Sequence, residues 1–336
     1  MKLQQIRYLV SVVDNGFNIT TTAENLYTSQ PGISKQIRLL EDELGLELFV
    51  RRGKRLEALT PAGERAVEHG RRILQEAYNI RHLAREIKGE SGGTLTLATT
   101  HTQARYVLPP AIQACREQHP ELVFDIHQGT SEQLAGMVAG GETEFVMATS
   151  SQQLFPDLIK LPVYQWDRVL VVPKDHPLAS RDRAPDMQEL APHPLVTYVF
   201  SERRESSLMK SFNAHGLTPN IAFTARDADV IKTYVRMGLG VGLVAVMAVN
   251  EEEDTDLVAL EASHLFPRLT TWIGFRRDSV LRQYQLDFLT RLAPHLTAQR
   301  VEAARQCRDQ QEVDALFADI TLPLHHHRPR KQLAGC

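Results

Sequence analysis

The stretch 23–41 constrains the 336-residue chain most, because it reads as two short helices joined by a tight turn. Ala23 and Leu26 give the first helix an apolar face, and Ile33, Ile37 and Leu40 recur at helical spacing on the second. Thr28 is placed to cap the second helix, and Pro31 falls in its first turn, where a missing N–H costs nothing. Ser29, Gln30, Ser34, Lys35 and Arg38 then face outward, and no carboxylate stands among them. Hydroxyl, amide and cationic groups suit phosphate oxygens and base edges, so the expectation is a DNA-reading helix-turn-helix rather than an ordinary surface helix pair.

The flanking sequence supports a complete reading head. Leu3, Ile6, Leu9 and Val10 predict an opening helix packed beneath the pair. Residues 46–59 predict a hairpin with a basic tip, Arg51, Arg52 and Lys54, whose alternative is a solvated charge run; beside the recognition helix it reads as a wing. Because the formal net charge is −3, DNA contact must come from such a local patch. Thr60-Pro61 then opens a helix reaching about Lys88. Ala66, Ile73, Ile80 and Ile87 repeat by seven beside Gly63, Gly70, Ala77 and Ala84, a seam for the same helix of a second copy or for a core helix of the next domain.

Glu90-Ser91-Gly92-Gly93 marks a boundary, after which the pattern becomes α/β. Strands are expected at 94–98, 123–127 and 144–148 with helices at 104–118 and 131–139. A second region has strands at 169–173 and 194–198 and helices at 206–215 and 228–237. Strand 270–275 and helix 280–292 return to the first region, making a hinged pair. The expected domains are a winged helix-turn-helix (1–59), a linker and dimerisation helix (60–90), a two-subdomain α/β effector-binding domain (91–295; subdomain I 91–163 and 268–295, subdomain II 164–267), and a C-terminal extension and tail (296–336).

The chemistry on offer is binding. Thr99-Thr100-His101-Thr102-Gln103 lies where the first α/β strand meets its helix, and Thr149-Ser150-Ser151 ends the third strand. Hydroxyls, an amide and a helix N-terminus can hold an anion in the shared crevice, although either cluster alone reads as a helix cap. No GxSxG accompanies His101 and no HExxH occurs, so an enzyme is not expected and His101 reads as a hydrogen-bonded structural residue. The glycine run 238–242 reads as a close turn into residues 243–245, and Asp227, Asp229 and Lys232 as a solvated helix start or hinge face. Cys115, Cys307 and Cys336 form no CxxC pair, and neither metal nor cofactor is expected. His325-His326-His327 with Arg328, Arg330 and Lys331 reads as a disordered terminus rather than a metal trap. The sequence shows neither a signal peptide nor a run of about 18 apolar residues, so a cytoplasmic location without a membrane span is expected.

Taken in order, head, wing, long helix and paired subdomains resemble the LysR-type transcriptional regulators over residues 1–293. The runs YTSQPGISKQ (27–36), ATTHTQARY (98–106) and DADVIKTYVR (227–236) are similar to the branch governing cysteine synthesis, and EVDALFADI (312–320) extends the likeness to about residue 323. The resemblance implies a periplasmic-binding-protein-like effector domain and a homodimer or homotetramer on promoter DNA, working with RNA polymerase to activate sulfur-assimilation genes. It implies DNA contacts from Thr28, Ser29, Gln30, Pro31, Ser34, Lys35 and Arg38, with Arg51, Arg52 and Lys54 in the wing. The implied effector is acetylserine, with sulfate or thiosulfate as competing anions, held by Thr100, Thr102, Gln103 and Thr149. Where the family has Phe-Gly-Phe-Thr-Gly-Arg-Ser, this chain reads Phe200-Ser201-Glu202-Arg203-Arg204-Glu205-Ser206, so Arg203 replaces a threonine and changes volume and charge at the crevice wall. A regulator of organosulfur use (alkanesulfonate or taurine) and a stand-alone solute-binding module are the alternatives.

Overall fold

Three helices, α1 (Leu3–Asp14), α2 (Ile19–Asn25) and α3 (Gln30–Leu44), enclose Leu9, Val12, Ile33, Ile37 and Leu40 in a computed structural model of the chain. It describes residues 1–336 except 27, 54, 88–92, 140–141, 150–151, 182, 203–205, 251 and 326–336, so the linker residues 90–92 lie outside it. Two units are present, Met1–Gly93 and Thr94–Cys336.

In the first unit Leu3 is exposed rather than packed beneath the pair, while Ile6, Leu9 and Val10 are buried. The α3 cap lies one residue later than the sequence suggests: Ser29 Oγ accepts the Gly32 N–H at 3.3 Å, whereas Thr28 spends its own N–H on the Ala23 carbonyl. Strands β1 (Phe49–Arg52) and β2 (Arg55–Leu59) form the antiparallel wing. Helix α4 (Pro61–Ile87) starts on Thr60, whose Oγ1 accepts the Gly63 N–H at 3.0 Å.

The small residues of α4 serve its own head. A Cβ at Gly63 would lie 2.0 Å from the Leu48 carbonyl oxygen, and one at Gly70 would lie 3.1 Å from Ile6 Cγ2. Gly63 and Gly70 of the expected seam thus lie against Leu48 and α1 of the same head. Ile73 and Ile80 are 36% and 66% exposed, and the side chains of Ala84 and Ile87 lie outside the described residues.

The second unit runs β3 (Thr94–Thr99), α5 (His101–Tyr106), α6 (Leu108–Gln118), β4 (Val123–Gln128), α7 (Ser131–Ala139), β5 (Phe145–Thr149) and β6 (Leu158–Trp166). It crosses into β7 (Arg168–Pro173), α8 (Met187–Leu190), β8 (Leu195–Tyr198), α9 (Ser207–Ala214), β9 (Ile221–Ala225), α10 (Ala228–Arg236), β10 (Val241–Ala245) and β11 (Leu257–Glu261). It returns through β12 (Leu269–Arg276), α11 (Gln283–Leu292), α12 (Ala298–Gln306), α13 (Gln310–Leu316) and β13 (Leu324–His325). One sheet has the order β13-β6-β12-β5-β3-β4 and the other β11-β7-β10-β8-β9, so the chain passes between sheets at residues 167 and 262–268. Two such crossings make a hinge, and strand ends of both sheets open on one crevice.

Two departures from the sequence reading, at α5–α6 and at the C-terminal segment, have physical causes. The helix expected over 104–118 is broken at Val107, because Pro109 and Pro110 have no N–H for the carbonyls of Arg105 and Tyr106. The glycine run turns closely into β10 as expected: Gly240, just before the strand, has φ +155°, and a Cβ there would lie 2.1 Å from the Pro194 carbonyl oxygen. The C-terminal segment is packed: Val301, Ala304, Val313 and Phe317 join the core of the first sheet, and β13 pairs in parallel with β6. His325 therefore lies in a strand, contrary to the disordered terminus expected, and residues 326–336 lie outside the described residues.

Candidate DNA-reading surface and effector crevice

On the head, Ser29, Gln30, Pro31, Lys35 and Arg38 are exposed along one side of α3, while Thr28 and Ser34 are half-buried. Glu41, one turn beyond Arg38, points inward. Its Oε1 accepts the N–H groups of Leu48 (2.9 Å) and Phe49 (3.3 Å), and its Oε2 accepts from Arg51. Glu41 thereby fixes the wing to the recognition helix. Arg51, grouped in the sequence with the free wing cations, is tied to this carboxylate, whereas Arg52 is 84% exposed and 3.6 Å from Glu57. Lys54 lies outside the described residues. Glu41→Gln keeps one acceptor oxygen and loses the charge, so it is expected to lower head stability by roughly 1–2 kcal/mol in a urea titration.

In the second unit the predicted polar residues converge. Thr100 Oγ1 donates to Gln103 Oε1, and Gln103 Nε2 donates to Thr149 Oγ1 at 3.3 Å. Two further residues complete the cluster: Thr271 Oγ1 lies 2.6 Å from Thr149 Oγ1, and Trp166 Nε1 donates to Thr271 Oγ1 at 3.0 Å. Neither Thr271 nor Trp166 was legible as a site residue, since each sits in a strand whose role depends on its partner. Tyr164 is buried with its hydroxyl close to Thr271 and Gln103, and burial pushes this phenol up to about 12, so it stays neutral.

The opposite wall comes from the second sheet. Tyr198 accepts the Ala245 N–H at 3.2 Å and has Thr102 beside its hydroxyl. Thr197 Oγ1 donates to the Leu243 carbonyl at 3.3 Å, and Ser206 Oγ caps α9 by accepting the Met209 N–H at 3.1 Å. Arg203, Arg204, Glu205, Ser150 and Ser151 lie outside the described residues. The cluster is a set of neutral donors suited to oxygens of a small anion. Its helix contributes less potential than the sequence implied, because α5 has six residues rather than leading an unbroken helix through Gln118.

At the crevice edge α5 meets α10. Tyr106 Oη donates to Asp229 at 2.6 Å, Arg105 Nε pairs with Asp229 at 2.8 Å, and Asp227 caps α10 by accepting the Val230 N–H at 2.8 Å. Ligand atoms of His101, Asp227 and Asp229 lie within 4.8 Å of one another, yet Asp229 is already neutralised by Arg105, so the arrangement is a clasp between subdomains. His101 Nδ1 is buried without a partner, contrary to the hydrogen-bonded role expected. Lys232 is also not solvated: its Nζ donates to the Ala248 carbonyl at 2.9 Å and to Asp254 at 2.8 Å.

Residues 3–64 match the family described as "Bacterial regulatory helix-turn-helix protein, lysR family", and residues 88–297 match "LysR substrate binding domain". The HTH-type transcriptional regulator CysB of Haemophilus influenzae is 47% identical over 96% of this chain and 99% of its own length. The HTH-type transcriptional regulator SsuR of Burkholderia cenocepacia is 42% identical over 88% and 96%, respectively. Among solved structures, the cofactor-binding domain of the Cbl transcriptional regulator superposes with a TM-score of 0.60 at 37% identity, covering 64% of this chain and 95% of that one. A full-length OxyR variant from Pseudomonas aeruginosa shares the fold at 22% identity, with a TM-score of 0.63 over 94% of this chain and 95% of its own. Among the described residues no helix is long and apolar enough to cross a membrane.

Proposed function

This chain belongs to the LysR family of DNA-binding transcriptional regulators, and from that premise we propose that a small sulfur-linked anion in the crevice controls its action on sulfur-assimilation and cysteine-biosynthesis promoters. The observation that carries the reading is the cluster Thr100, Gln103, Thr149, Thr271 and Trp166, with Thr102 on the same helix as Gln103 reaching the Tyr198 hydroxyl of the second sheet. The ligand is acetylserine, with sulfate or thiosulfate competing for the same donors. Thr28, Ser29, Gln30, Pro31, Ser34, Lys35 and Arg38 contact promoter DNA, and Arg52 and Lys54 extend the contact from the wing. Arg51 acts by holding the wing against Glu41. The protein works in the cytoplasm as a homodimer or homotetramer that recruits RNA polymerase and activates its genes. Arg203, which stands in the sequence where the family has a threonine and adds a positive charge there, favours a second reading in which the effector is an alkanesulfonate.

Calorimetric titration of the full chain with sulfate, thiosulfate, acetylserine and alkanesulfonates tests this. One of them is expected to bind, and Thr149→Val, which removes one hydroxyl from the cluster, should weaken it by roughly 3- to 10-fold. Absence of heat with every ligand sinks the effector assignment and leaves DNA binding untouched.

A further inference from the structure

Arg168 opens β7, one residue beyond the crossing from the first sheet. Only 6% of it is exposed. Its Nη2 donates to Ser207 Oγ at 2.8 Å, and its Nη1 is sealed from water with no partner. The neighbouring carboxylate, Asp167, is turned away to Arg268 at 3.0 Å. Among the described residues no acid pairs with Arg168. A guanidinium buried with one of its nitrogens unmet is destabilising by itself, and burial pushes this one down to about 10.

Its surroundings place it at the crevice. The guanidinium carbon is 5.9 Å from the ring of Trp166, whose indole N–H reaches Thr271 and Thr149, and 5.8 Å from the ring of Phe266. Tyr198, beside Thr102, feels its charge. Ser207, which accepts from Arg168 Nη2, begins α9. The neutral cluster supplies donors without net charge, and the short α5 adds little potential. The missing positive charge is therefore present, on the opposite wall.

We propose that Arg168 is the counter-ion of the effector: when the crevice opens to admit the ligand, a carboxylate, sulfate or sulfonate oxygen becomes the partner that its buried Nη1 lacks, while Thr100, Gln103 and Thr149 hold the other polar atoms. This rests on the anion-binding reading of the crevice and adds a requirement for full negative charge. Neutral analogues of the same shape are discriminated against, because they leave the buried cation unpaired. Binding also removes a penalty that the free protein carries, so ligand and a closed crevice stabilise one another.

The test compares the full-length wild type with Arg168→Met, which keeps length without charge, with Arg168→Lys, and with Thr149→Val. Each is titrated with sulfate, acetylserine and the uncharged amide of acetylserine, and melted with and without ligand. Wild type is expected to prefer the carboxylate over the amide by about tenfold or more. Arg168→Met should lose that preference and the sulfate-induced rise in Tm, while its own Tm without ligand is unchanged or higher; Arg168→Lys should recover part of the preference. A lowered Tm without ligand in Arg168→Met, or a preference that survives it, overturns the proposal and makes Arg168 a packing residue. If Thr149→Val weakens sulfate and Arg168→Met does not, the crevice reading stands and the counter-ion falls. Failure of the wild type to bind any of the three overturns both.

Discussion

Replacing Lys35 and Arg38 together with alanine is expected to remove roughly 2–6 kcal/mol of promoter affinity, taking each side chain as one base-edge contact at about 1–3 kcal/mol. Both side chains are exposed on α3, and the head core of Ile33, Ile37 and Leu40 lies on its other side, so the fold should be unaffected. Fluorescence anisotropy at several salt concentrations separates the two kinds of contact. A residue on a base relaxes specificity at one position, whereas a residue on a phosphate weakens all sequences alike and flattens the salt slope by about one per contact. Unchanged affinity in the double variant would falsify the assignment of α3 as the recognition surface.

Asp254→Ala should destabilise the second unit by about 3–5 kcal/mol, because it strands a buried ammonium. The side chains of Lys232 and Asp254 are 3% and 4% exposed and meet at 2.8 Å, and Asp254 also accepts from Arg236 at 2.8 Å and from the Asn250 N–H at 3.1 Å. Removing Asp254 leaves Lys232 the Ala248 carbonyl, 2.9 Å away, and the distant Asp229 at 3.5 Å. Desolvation pushes the Asp254 carboxyl up, but hydrogen bonds from Lys232, Asn250 and Arg236 outweigh it and hold the group below its ordinary value. Its folded pKa is thus depressed, so the stability it contributes is present above the unfolded value of about 3.9 and is lost as pH falls through the folded value. Urea titrations of wild type and Asp254→Ala should differ fully at pH 7 and converge at strongly acid pH. Replacing both partners by apolar residues, Lys232→Met with Asp254→Leu, should recover most of the loss.

The sequence pattern located α7 to the residue, and it placed the Thr60 cap, the α3 core face and the polar junction at Thr100–Gln103 correctly. Those features are local: helical spacing, a hydroxyl before a proline, and threonines at a strand end can be read within a few residues. Strand β6 shows where this stops. It is buried along both faces, so the alternation that marks a half-exposed strand is missing, and its pairing with β12 and β13 joins segments about 110 to 160 positions apart. Trp166 and Thr271 belong to the crevice only through that pairing.

Charge was read worst where it is satisfied at a distance. Arg51 resembles its neighbours Arg52 and Lys54 in the chain, but Glu41 on α3 takes it out of the free set. Lys232 follows two aspartates and reads as a solvated face, yet the loop bearing Asp254 folds over it. Gly63 and Gly70 likewise have neighbours that their spacing does not show, since their small size admits α1 and the Leu48 backbone of the same head.

The order of parts, the polar and cationic outer side of α3 and the hydroxyl- and amide-rich junction at the crevice were therefore determined by the sequence, because each follows from residue chemistry at short, regular spacing. Which cations are free, which glycines face which helix, and the position of Arg168 beside Trp166 were decided only by the tertiary structure. The reason is physical: burial and pairing depend on groups brought from distant parts of the chain, and a side chain's own type does not say whether its counter-charge will arrive.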